Sequence, residues 1–273
     1  MGKVILITGV SSGFGRETAA LLGAKGHTVY GTVRTPSEGL KGVSILNMDL
    51  TDHESIKRTV GTVVEKEGRI DILINNAGMH TGGPAEKTPA DYLRLQMETS
   101  FTGPVLLTRE VLPVMRAAGG GVIINISSIG GLMGLPFQPY YSAAKFAVEG
   151  FSEALRMEVK QFNIRVVVIN PGDFRTNNSA NRRKYIAPSS EGDPYAGQFI
   201  KSLSIIEKDE ANGRNPALLA KRIATVVDNR NPRNRYIVAS PDQKLAVVIK
   251  RLLPAKLFAA ILSSHYGISG VNK

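Results

Sequence analysis

Short, almost continuously apolar runs alternate along the chain with longer stretches in which apolar residues recur every three or four positions. The short runs fall at residues 3–8, 28–33, 43–48, 71–75, 121–127 and 164–170, with a seventh at 235–239. They are rich in valine and isoleucine and lack apolar–polar alternation, which predicts strands covered on both faces. Helical patterns occupy 14–24, 53–67, 90–117 and 140–162. Strands alternating with helices predict βαβ units with right-handed crossovers. The expected fold class is therefore α/β: a Rossmann-type doubly wound parallel sheet of about seven strands with helices on both faces. No repeat or linker-like segment interrupts residues 1–273, so one domain is expected. Residues 173–215 read as irregular and polar, long enough to cover a substrate, and 241–266 as an apolar C-terminal extension.

Composition narrows the possible functions. The chain contains no cysteine, which excludes disulfides, cysteine–zinc sites and a thiolate nucleophile, and fits a reducing compartment such as the cytoplasm. No cluster of histidines and carboxylates has ligand spacing, so no metal is assigned. The first residues turn glycine-rich too soon for a signal peptide and read as a first strand. The apolar stretch at 244–262 is broken by Lys250, Arg251, Pro254 and Lys256 and does not span a membrane. A net charge of +11 comes from scattered residues without a nucleic-acid motif, so a surface attracting small anions is expected rather than nucleic-acid binding.

The first strand runs directly into "TGVSSGFG", which places Gly9, Gly13 and Gly15 where a strand closes and a helix opens. Glycines there permit a tight turn and let the backbone approach a pyrophosphate, whose charge sits on the helix N-terminus. Ser11 and Ser12 add hydroxyl donors, and Phe14 begins the helix. Dinucleotide folds that take NAD usually carry a carboxylate at the end of strand two. This chain has "GTVRTP", with Arg34 at that place. A guanidinium holds a ribose 2′-phosphate bidentately. A contact of about 1.5–3 kcal/mol favours NADP(H) by roughly ten- to a hundredfold; the alternative for Arg34 is a solvated surface residue.

In "QPYYSAAKF", Tyr141 and Lys145 are four apart and share one helix face, whereas Tyr140 points elsewhere. A nearby ammonium favours the phenolate and brings a phenol toward the working range of a general acid/base. Ser128 ends the fifth strand, "NNAG" (75–78) the fourth and "NPGDFRT" (170–176) the sixth. These segments share the carboxyl edge of the sheet with the glycine turn, the edge where open α/β sheets bind ligands.

On these motifs the chain, over about residues 3–176, closely resembles the short-chain dehydrogenase/reductase family, and "GGLMGLPF" with the C-terminal third is similar to its hydroxysteroid and retinol dehydrogenase subgroup. The resemblance implies hydride transfer with Tyr141 as general acid/base, Ser128 holding the substrate oxygen, and Lys145 binding the nicotinamide ribose and lowering the Tyr141 pKa. It implies that Asp49 contacts the adenine with Leu50 beside it. Asn75 lines the cofactor site and supports the fourth strand, Ala77 and Gly78 line that site too, and Pro171, Gly172 and Phe174 flank Thr176, which holds the carboxamide. One position departs from the family: "METSFTGP" puts Ser100 where an asparagine usually holds a relay water. Serine is shorter and lacks the amide pair, so either the relay runs through Ser100 and an extra water or catalysis is slowed, and the latter leaves an impaired, NADP(H)-binding regulatory protein as the alternative function.

Apolar residues in 173–215 and in the tail suit a lipophilic ketone or alcohol, or else simply close the core. The basic, amphipathic tail also admits shallow peripheral membrane contact, the lesser expectation. The segments 104–115 and 147–162 resemble the family's dimer-forming helices, which implies a homodimer or homotetramer.

Overall fold

The computed structural model describes residues 2–36, 39–176, 182, 186 and 192–268. Seven strands form one parallel sheet: β1 (Val4–Thr8), β2 (Thr28–Val33), β3 (Val43–Asn47), β4 (Ile72–Asn75), β5 (Gly121–Ile126), β6 (Ile164–Pro171) and β7 (Arg235–Val238). Their order is β3-β2-β1-β4-β5-β6-β7, with each strand within a residue of its expected bounds. The chain crosses over between β3 and β4, so β1 and β4 are neighbours whose connections leave in opposite directions. A crevice opens there, beyond their carboxyl ends.

Because successive strand side chains face opposite ways, the apolar runs feed two cores. Ile5 and Ile7 pack under α1 (Gly13–Ala24) and α7 (Pro216–Asp228), with Leu22, Leu219 and Ile223. Val4 and Leu6 pack on the other face with Ile56 of α2 (His53–Glu67), Leu107 and Val111 of α4 (Gly103–Ala117) and Leu155 of α5 (Pro139–Val159). Burial on both sides is why these strands read as unbroken apolar runs.

Two expectations need correction. The pattern at 90–117 is not one regular helix: α3 (Ala90–Met97) passes through a π turn (Glu98–Thr102) into α4. Pro104 has no N–H to give the preceding turn, and a widened turn absorbs that loss. Residues 173–215 are not wholly irregular, since α6 (Ala196–Ala211) lies within them, burying Phe199, Ser202, Ile206 and Glu210. Its polar residues dilute a periodicity that was present. The stretches 177–181, 183–185 and 187–191 lie outside the described residues, and with them part of the expected substrate cover. The C-terminal extension folds as α8 (Pro241–Leu252) and α9 (Ala255–His265). Among the described residues, no helix is long and apolar enough to cross a membrane.

Candidate active site

The glycine turn is built by close approach. Gly9 (φ +72°) and Gly13 (φ +56°) occupy the left-handed region that favours glycine. A Cβ on Gly9 would come within 2.9 Å of Ala77 Cα, and one on Gly15 would overlap Gly9 O. Asn76 ties this turn to the end of β4: its Nδ2 donates to Thr8 O (2.8 Å) and Gly9 O (3.1 Å). Thr8 Oγ1 in turn accepts from the backbone N–H groups of Asn76 and Ala77. The result is a backbone-walled cradle at the N-terminus of α1, which fits the pyrophosphate of a dinucleotide.

The cradle opens into a cleft of about 930 Å³ along the carboxyl edge of the sheet. Ser11, Ser12, Gly13, Phe14, Arg34, Asp49 and Leu50 line one end; Ala77, Gly78, Ser128, Tyr141 and Lys145 line the middle, with Pro171, Gly172, Phe174 and Thr176 alongside. The structure thus gathers the expected residues into one cavity, with three exceptions. Gly15 lies behind the turn and sets the spacing of helix and strand. Asn75 does not reach the cleft: its Nδ2 donates to Thr108 Oγ1 (3.0 Å) and Asn125 Oδ1 (2.8 Å), bracing β4 against β5 and α4. The cleft-facing asparagine is Asn76, which sequence reasoning passed over. Both belong to "NNAG", and strand alternation separates their directions.

Ser100, the third exception, is 2 % exposed in the π turn. Its Oγ accepts from Met79 N (3.1 Å) and Gln96 Nε2 (2.8 Å). Gln96, one turn earlier, also donates to Met79 O and accepts from Thr81 N and Oγ1. A carboxamide missing at position 100 is therefore present at position 96, where it anchors the loop after β4. Ser100, Asn75, Asn125 and Lys145 surround a cavity of about 10 Å³, at the lower limit for one water. Asn75 Oδ1 is buried there without a protein partner.

Pro139 starts α5 and so brings Tyr141 and Lys145 into the cleft in its first two turns. Tyr140 turns away and donates to Ala85 O (2.9 Å). Tyr141 and Ser128 both line the cleft, where the Ser128 side chain draws the Tyr141 pKa down, and Ser128 Oγ accepts from Gly130 N (3.0 Å). The Tyr141 ring stacks on His80 at 3.8 Å between centroids, a neighbour not singled out in the sequence. Lys145 Nζ donates to Ile126 O (2.9 Å) and lies 5.9 Å from the Tyr141 ring centroid.

The electrostatics correct the expectation that Lys145 lowers the Tyr141 pKa. Burial pushes Tyr141 up to about 12, against the opposing pull of the Ser128 side chain. Burial also brings Lys145 down to about 8, so its positive charge is itself weakened. In the folded chain Tyr141 is a neutral phenol near pH 7, the form that gives up a proton.

At the far end of the cleft, Asp173, Asp209 and Glu210 gather beneath Ala246, Phe258, Ile261 and Leu262 of α8 and α9. Burial, then the Glu210 and Asp209 charges, raise Asp173 to about 6; Glu210 is ion-paired with buried Arg182. None of these carboxylates was legible as a site residue, because their grouping depends on α6.

The model of the short chain dehydrogenase family matches residues 3–186. The chain is 46% identical to a 3-ketodihydrosphingosine reductase of Bacteroides thetaiotaomicron, over 97% of this chain and 98% of that protein. It is 33% identical to dehydrogenase/reductase SDR family member 7B of Xenopus laevis, over 96% of this chain and 81% of that one. A short-chain dehydrogenase structure from Streptomyces avermitilis superposes with a TM-score of 0.79 at 34% identity, covering 97% and 96% of the two chains. Solved neighbours of this fold hold NADP or NAD. With its sheet order, glycine turn and Ser128–Tyr141–Lys145 cluster on one edge, the chain belongs to the short-chain dehydrogenase/reductase family of nicotinamide-dependent oxidoreductases.

Proposed function

We propose that the chain is an NADP(H)-dependent reductase of a long-chain ketone, of the kind named in its 46%-identical relative, a 3-ketosphingoid base. The observation that carries the chemistry is the convergence of Ser128, a half-buried, neutral Tyr141 and Lys145 in the middle of the cleft. When bound, NADPH supplies the hydride. Gly9, Gly13 and the N-terminus of α1 hold its pyrophosphate, Arg34 its 2′-phosphate, and Thr176 its carboxamide. Ser128 donates to the substrate carbonyl oxygen, and Tyr141 Oη gives that oxygen a proton as negative charge develops on it. Lys145, held by Ile126 O, would hold the nicotinamide ribose. The lipophilic part of the substrate lies against Met133, Leu135, Phe258 and Leu262, all lining the cleft.

The reading of an inactive cofactor-binding protein drew on Ser100. That residue is hydrogen-bonded within the loop after β4 rather than facing the cleft, and Gln96 supplies an amide beside it, so it gives that reading no support. The exposed side chains of Phe146 and Met157 on α5 support association of copies through this helix.

The substrate assignment is tested by following NADPH consumption with 3-ketodihydrosphingosine and with a short ketone. The long chain is expected to raise kcat/KM by about a hundredfold or more through the apolar area it buries; equal efficiencies would remove the substrate reading. Arg34→Asp is expected to move the NADPH/NADH preference toward NADH by about ten- to a hundredfold. An unchanged ratio of kcat/KM for the two cofactors would show that Arg34 does not select between them.

A further inference from the structure

Five of the nine large apolar side chains left exposed among the described residues fall within residues 245–261: Leu245, Val248, Leu252, Leu257 and Ile261. Leu245, Val248 and Leu252 are spaced three and four apart and form one outward stripe of α8. Leu257 and Ile261 repeat the spacing on α9. Leu252 is 76% exposed and Leu257 50%. An ordinary surface helix turns such residues inward, and here the inward positions are already filled by Val247 and Phe258, packed on Met133. The two helices therefore carry an apolar face on each side. Lys244, Arg251 and Lys256 are exposed alongside this outer face, Lys250 turns inward over the Phe258 ring, and Asp242 is the single acidic residue of the segment.

We propose that this outer face of α8 and α9 docks on an anionic lipid bilayer, with its leucines in the acyl boundary and its lysines and arginine among the headgroups. A basic-rimmed apolar face has the charge complement of such a surface. A second copy is disfavoured as the occupant, because two-fold pairing would set these like charges against one another. The location adds purpose. The same helices wall the substrate end of the cleft, and Ile261 both lines that cleft and is 49% exposed. An apolar ketone passes from the bilayer along Ile261 to Tyr141 without crossing water. That purpose rests on the lipophilic-substrate reading; the docking itself does not.

The test is flotation of the full chain with vesicles, without substrate, so that it fails independently of the substrate assignment. Vesicles of phosphatidylcholine alone are compared with vesicles containing about one third phosphatidylglycerol, at low and high salt. Wild type is expected to float with the anionic vesicles, less so in high salt. Leu252→Glu combined with Leu257→Glu is expected to lower the partition coefficient at least about tenfold. Neither residue lines the cleft, so NADPH binding by the variant should match wild type and certify its fold. Absence of wild-type flotation, or equal flotation of wild type and variant, overturns the proposal. So does sedimentation velocity in lipid-free buffer showing that the variant dissociates an assembly, which would assign the face to a second copy.

Discussion

Tyr141→Phe leaves a protein that binds NADPH like wild type and turns over about a hundred to ten thousand times more slowly, the range lost with a positioned proton donor. The substitution removes one oxygen. The ring keeps its stack on His80 and its place on α5, so the cleft and the glycine cradle are unaltered. What is lost is the phenolic proton, beside the Ser128 hydroxyl in the cleft. Ser128 still donates to the carbonyl oxygen, but developing negative charge there would have to await a proton from water. The measurement is single-turnover NADPH oxidation beside a fluorescence titration of NADPH. A variant with near-wild-type kcat would transfer the acid role elsewhere; lost turnover together with lost NADPH binding would point instead to a damaged cleft.

Gly15→Ala is the second large effect, and it acts on a different part of the molecule. The added Cβ meets Gly9 O and Asn76 Nδ2, and Gly9 O is backbone that cannot rotate aside. The helix must back away from β1, breaking the Asn76 hydrogen bonds that join β1 to β4. Overpacking of this kind costs about 1–3 kcal/mol, which lowers Tm by roughly 3–9 °C in a chain of this size. Affinity for NADPH is expected to fall by about tenfold or more, since the cradle widens. Gly61→Ala is the internal control. Gly61 lies within α2 with open space about it, so alanine there is expected to raise stability by up to about 1 kcal/mol. Equal melting shifts for the two variants would contradict the packing argument.

How far the sequence carried the reading depended on whether a residue's role was local. The strands were visible because both faces of the sheet are covered, which removes polar residues from them. Tyr141 could be distinguished from Tyr140 because helix geometry fixes direction over four residues. The glycine turn was visible because its requirements lie within eight residues of one another. The failures are non-local. Asn75 and Asn76 carry the same side chain, and only the position of β5 and α4 beside β4 shows which one is drawn away from the cleft. Gln96 compensates for Ser100 through a loop some twenty residues earlier. The pKa of Tyr141 was inferred from one neighbour, Lys145, whereas burial by the whole cleft dominates it. The carboxylates at the far end were missed because they meet only once α6 is placed.

The order of the strands has a consequence for how this chain could change over generations. Arg34 and Asp49 stand at the ends of β2 and β3, on one side of the β1–β4 junction, while the helices that enclose the apolar end follow β7 on the opposite flank. Ser128 and Tyr141 lie between, on segments that neither group touches in sequence. A change at the β2–β3 end of the cleft therefore does not disturb its apolar end, and remodelling the last thirty or so residues leaves the glycine cradle as it was. The two ends of the cleft can thus be altered one at a time, with the Ser128 and Tyr141 segments between them untouched.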